Sequence, residues 1–120
     1  MKSGMLGTLS LALMLISQVI FAETVKIGFV TTLTGGAGAI GNDMRDAVEL
    51  ALDHLGRKMD GSDVEMFYED DTFKPAVGKQ KTEKLVKKEK VHFVGGYIWS
   101  HVLMASRNSV VGKGPFMITS

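Results

Sequence analysis

Between residues 24 and 119, four short runs suited to β-strands alternate with three stretches of helical periodicity, and this alternation restricts the fold more than any other feature. Residues 24–31, TVKIGFVT, are rich in β-branched side chains and suit a buried strand. Thr32 to Gly41 holds four glycines and is expected to be loop, with Asn42 as a helix cap. Met44, Ala47, Val48, Ala51, Leu52 and Leu55 then recur at spacings of three and four, which lays one apolar stripe along a helix. Gly56 and the Asp60-Gly61 pair stop that helix and turn the chain. A second strand is expected at Val64–Glu69 and, from Pro75 to about Glu89, a second helix with proline in its first turn. A third strand at Val91–Gly95, a third helix over 101–111 and a fourth strand at Pro115–Thr119 complete the series.

Such an order predicts an α/β fold, a parallel sheet covered by helices on both faces. Right-handed crossovers put every strand-to-helix loop at one edge of the sheet. Ligands of open α/β sheets lie at that edge, where the strand order reverses. The candidate surface is therefore Thr32–Gly41, Asp70–Lys74 and Gly96–His101.

The first 22 residues follow a different rule. Lys2 is followed by the uncharged apolar run 5–16, MLGTLSLALMLI, and Val19-Ile20-Phe21-Ala22 precedes the charged Glu23. This order reads as a secretory signal cleaved near Ala22, which implies a periplasmic protein. Retained as a membrane anchor, the same segment would instead tether a sensory or receptor ectodomain. Without it, roughly 100 residues remain, enough for one small domain. Ending at Ser120, inside or just after an apparent strand, the chain reads as truncated. With Lys2 gone, basic and acidic residues are equal in number, which gives no reason to propose nucleic acid or an anionic membrane as a partner. The absence of cysteine rules out a lipidated N-terminus and leaves the redox compartment open.

Gly36, Gly38 and Gly41 satisfy the spacing of a dinucleotide fingerprint. The motif starts too far past the strand, however, and Glu69 lies well beyond the roughly 20 residues at which the ribose-binding acid is expected. Asp70 and Asp71 read as a solvated turn capping the next helix, and Lys79, Lys81, Lys84, Lys87 and Lys88 as a solvated face. His54, His92 and His101 fit no metal spacing, and no nucleophile-elbow set occurs, so neither a metal, a cofactor nor an enzymatic reaction is expected. Tyr97, Trp99 and Ser100 draw more interest: two aromatics and a hydroxyl on a strand-end loop just before a helix, whose free amides favour a carboxylate. His101 stands at the edge of that group.

Taken together, VKIGFVTTLTGGAGAIGNDMRDAVELALDHL, FYEDDTFKP and FVGGYIWS resemble the type 1 periplasmic binding proteins of the branched-chain amino acid group. The resemblance spans residues 24–120 and implies a partial N-terminal lobe, residues 23–120, of a longer two-lobe protein. It implies the substrate-binding component of an ABC importer, monomeric at full length, that carries an amino acid or other small organic carboxylate to a membrane permease. Ser100 matches the family serine that holds the ligand carboxylate, Tyr97 and Trp99 match neighbouring loop positions, and Ile40 falls where relatives often carry an aromatic beside the ligand. Isoleucine at 40 and tryptophan at 99 depart from the family's amino-acid binders and speak against a branched-chain amino acid, while the aromatic Tyr97–Trp99 loop would suit stacking on the ring of an aromatic acid.

Overall fold

The computed structural model describes residues 23–119; the expected signal segment and Ser120 lie outside them. Five strands form one sheet in the order β2-β3-β1-β4-β5. β1 (Val25–Thr31) pairs in parallel with β3 (Ser62–Asp70) on one side and β4 (Phe93–Gly95) on the other. β5 (Phe116–Met117) extends the sheet, parallel to β4. The expected parallel sheet is present, with one addition. Lys58–Met59 forms a short β2 antiparallel to the start of β3. The Asp60-Gly61 turn, with both residues at positive φ, folds the chain into a hairpin where the sequence indicated only a change of direction.

Three helices carry the crossovers: α1 (Gly38–His54), α2 (Pro75–Lys84, continued by a π-turn over Leu85–Glu89) and α3 (Ser100–Arg107). The chain leaves β1 toward β3, then returns past β1 to β4. Right-handed connections in opposite directions set α1 on one face and α2 with α3 on the other. On the second face Val30, Leu85, Val91, Val94 and Val110 make the buried core, flanked by Phe67, Val86, Tyr97 and Met117. Leu85 is fully buried against β1, where a side chain at Gly28 would overlap its Cδ1 at 2.7 Å. The α1 face is thinner. Leu52 is buried, but Ala51 and Leu55 on the same stripe remain exposed.

The start of α1 corrects the sequence reading. The helix begins at Gly38, not after Asn42. Asn42 is not its cap; its side-chain amide donates to the carbonyls of Leu33 (2.9 Å) and Gly38 (2.7 Å), tying the first turn to the end of β1. Gly38 and Gly41 are contact residues rather than loop residues. A methyl group on Gly41 would overlap the Thr32 carbonyl and approach Thr31 Oγ1 at 3.1 Å, and one on Gly38 would lie 2.8 Å from the Leu33 carbonyl. The glycine spacing lets a helix rest directly on a strand end, and needs no nucleotide to explain it.

Four of the five lysines expected on a solvated face, Lys79, Lys84, Lys87 and Lys88, are exposed, and Lys81 is half-buried. Lys81 (3.3 Å) and Lys84 both pair with Glu69, which is 8% exposed on β3. The two bonds anchor α2 across the sheet edge and leave a buried carboxylate partnered.

Candidate functional site

The strand order reverses at β1, so the crevice expected at the carboxyl edge lies between the loops after β1, β3 and β4. Two consecutive aspartates join these loops. Asp70 accepts hydrogen bonds from the Leu33 amide (2.9 Å), the Thr72 amide (2.9 Å) and the Thr34 hydroxyl (2.5 Å). Partial burial pushes the Asp70 pKa up, but the Thr34 hydroxyl and the Leu33 and Thr72 amides outweigh it and hold the carboxyl below its ordinary value. Asp71 is fully buried. Its Oδ1 accepts from the Thr32 hydroxyl (2.5 Å) and the Phe73 amide (2.8 Å). The two aspartates thus hold Thr72 (φ 50°) and Phe73 (φ 64°) in the left-handed region, where non-glycine residues need such local support.

Neither aspartate caps α2, and Asp71, unlike the half-buried Asp70, is not solvated at all. Lys74 occupies the cap position of α2, with no side-chain hydrogen bond closing it. A signal existed in the sequence: two adjacent acids at a strand end on the ligand edge. Its weight depended on burial, which composition does not report.

The left-handed turn projects Phe73, 49% exposed, over the third loop. Its ring meets Trp99 edge to face at a centroid distance of 4.8 Å, and His101 at 5.0 Å. Trp99 and His101 lie 6.4 Å apart. Trp99 Nε1 donates to Thr32 Oγ1 at 2.9 Å, closing the third loop against the first. The resulting open hollow, about 370 Å³, is lined by Thr34, Gly35, Gly36, Ala37, Thr72, Phe73 and Trp99. Phe73 was not singled out as a site residue from the sequence, because its aim depends on the turn that Asp70 and Asp71 impose.

Of the five candidate residues, Trp99 alone is among those that line this hollow. Ser100 is the first residue of α3 rather than the residue before it; Trp99 takes the cap position, and no side-chain hydrogen bond closes that helix end. The Ser100 side chain is exposed, as is His101 beside it. Ile40, 49% exposed, sits in the first turn of α1. Tyr97 turns the other way. Its ring packs against the buried core and its hydroxyl shares a 2.6 Å hydrogen bond with Thr82. Thr82 donates its own hydrogen to the Gly78 carbonyl (2.8 Å), so Tyr97 is the donor of the pair. Burial pushes the Tyr97 hydroxyl up to about 12.

Among the described residues no cluster of histidine, cysteine or carboxylate side chains could hold a metal ion, and no helix is long and apolar enough to cross a membrane. A family model described as "Periplasmic binding protein" matches residues 24–120. No curated protein matches the sequence. Among known structures, an ABC transporter substrate-binding protein from Sphaerobacter thermophilus is 31% identical with a TM-score of 0.76; the match covers 81% of this chain and 26% of that one. The branched-chain amino acid transporter substrate-binding protein of Streptococcus pneumoniae, in complex with isoleucine, is 27% identical with a TM-score of 0.75, covering 81% and 28%. A solute-binding protein of an ABC transporter from R. palustris, in complex with 4-hydroxybenzoate, is 26% identical with a TM-score of 0.76, covering 81% and 27%. This chain therefore spans about a quarter of the length of the structures it matches.

Proposed function

The chain belongs to the periplasmic binding protein family, and we propose that residues 23–120 form part of the N-terminal lobe of an ABC-importer component that captures a small organic carboxylate. Membership in a family of importer components implies a periplasmic location and a membrane permease as partner. The role is reversible capture, with no reaction.

The convergence of the Thr32–Ala37 loop, the Phe73 turn and the amino end of α3 at one crevice carries this reading. Ser100 supports it, because the exposed hydroxyl is not spent on capping and stands beside free helix-start amides suited to a carboxylate. Trp99, Phe73 and His101 supply an aromatic wall, Ile40 an apolar contact on the α1 side, and Tyr97 supports the loop from beneath. This wall favours a planar aromatic acid over leucine, since rings gain from edge and offset packing that an alkyl chain cannot match.

Isothermal titration of a protein carrying both lobes, against leucine, benzoate, 4-hydroxybenzoate and short-chain acids, tests the preference. Tight leucine binding with no response to the aromatic acids would refute it. Ser100→Ala should weaken carboxylate binding by about 1–3 kcal/mol, the value of a hydrogen bond to a charged group, while leaving stability unchanged. Unaltered affinity would remove Ser100 from the site. Mass spectrometry of the exported protein then separates a soluble component, starting near Glu23, from a tethered ectodomain that keeps residues 1–22.

A further inference from the structure

The crevice wall contains a hydrogen-bonded chain that runs from the ligand edge into the core. An indole N–H can only donate, so Thr32 Oγ1 is the acceptor of the 2.9 Å bond from Trp99. The hydrogen of Thr32 is then directed to Asp71 Oδ1 at 2.5 Å. The same carboxylate oxygen accepts the Phe73 amide at 2.8 Å. Both aromatic walls, Trp99 through a side chain and Phe73 through the backbone, therefore depend on one buried atom. Asp71 and Thr32 are 0% and 1% exposed.

A threonine and an aspartate buried only for packing would be replaceable by apolar residues of the same shape, because buried polar pairs contribute little net stability. Here one carboxylate oxygen, Oδ2, is left buried with no hydrogen-bond partner among the described residues, an arrangement that works against stability. Such violations gather where a side chain has to be aimed. We propose that Asp71 is a positioning residue for the ligand crevice, acting through Thr32 to fix the plane of the Trp99 indole and through the Phe73 amide to set the opposing ring. The proposal rests on the crevice being the ligand site, but the geometry it describes exists without ligand.

Trp99 is the only tryptophan of the 120-residue chain, so its spectrum reports the device directly. In the unsubstituted chain the Trp99 indole hydrogen should exchange with solvent at least tenfold more slowly than that of a free indole, read by NMR. Exchange at the free rate would overturn the proposal with no variant needed. Thr32→Val keeps the shape and removes the hydroxyl. It should lower the steady-state anisotropy of Trp99 and raise acrylamide quenching about twofold, with far-UV dichroism unchanged. Thr32→Ser should retain the original signal, and Asp71→Ala should reproduce the valine variant. Thr82→Val, which breaks the neighbouring Tyr97 bond, should lower the melting temperature without moving the Trp99 signal. An unchanged Trp99 in folded Thr32→Val, or a change equally large in Thr82→Val, would reduce Asp71 to an ordinary structural residue. A ligand titration in the two-lobe protein separates the two claims. If Thr32→Val frees Trp99 yet leaves benzoate affinity intact, the positioning device stands as a structural fact and the crevice loses its role as ligand site.

Discussion

Gly41→Ala sets two opposing effects against each other at one atom. In a solvent-exposed helix the change is favourable by about 1 kcal/mol, because alanine loses less backbone freedom on folding. At position 41 the new methyl group would overlap the Thr32 carbonyl oxygen and lie 2.7 Å from its carbon. These are backbone atoms of the strand end, unable to swing aside as the tip of a flexible side chain can. Relief requires α1 to lift from β1, which stretches the Asn42 tie to Leu33 and loosens buried Leu52. Forcing a methyl group into a filled contact costs roughly 1–3 kcal/mol, and overlap with rigid backbone belongs at the upper end, so the net effect is a loss of about 2 kcal/mol. In a domain of this size that lowers the melting temperature by roughly 4–8 °C for each kcal/mol. Urea denaturation followed by Trp99 fluorescence provides the measurement. Gly36→Ala is the internal control: it adds the same methyl group with no atom within 4 Å, and should stay within about 0.5 kcal/mol of the parent. A Gly41→Ala protein as stable as the parent would refute the claim that these glycines exist for contact.

Leu85→Ala empties the fully buried space beside Gly28 and should cost about 2–5 kcal/mol, read from the urea midpoint at an unchanged slope. The chain has two tyrosines, and both are held above the ordinary value of 10.0: Tyr97 by burial to about 12, Tyr68 by burial and then by its bond to Glu49. No tyrosinate absorbance should therefore appear at pH 10.5 until the chain unfolds. Because the unfolded tyrosines ionise first, stability should be flat up to about pH 10 and then fall as pH rises toward 12. Asp70 behaves in the opposite sense. Its folded carboxyl sits below the ordinary 3.8, so its contribution is complete above that value and is lost as pH falls through the folded one. Asp70→Asn should be less stable at neutral pH and lose less on acidification below about pH 4; an equally steep acid limb in both proteins would contradict the assignment.

The order of strands and helices was legible in the residues because hydrophobic period is a local property. TVKIGFVT reads as a strand and Met44 to Leu55 as a helix whatever surrounds them. Chain handedness then placed the loops of Thr32, Asp70 and Gly96 at one edge, and the Trp99–Thr32 bond shows two of them touching there. What composition misjudged was polar residues at element ends. Asn42 looked like a cap and proved to be a tie, and Asp71 looked solvated and proved to be buried.

The sequence by itself determined the layered α/β architecture, the edge at which the strand-end loops gather, and Ser100 at the head of a helix. Only the tertiary structure decided which side chains face that edge. It turned Tyr97 inward, raised Phe73 over Trp99, and joined Asp71 to Thr32 across 39 positions and Thr32 to Trp99 across 67. Periodicity reports which face of an element is apolar. A hydrogen bond between distant loops depends on where separate elements come to rest, and no local pattern encodes that.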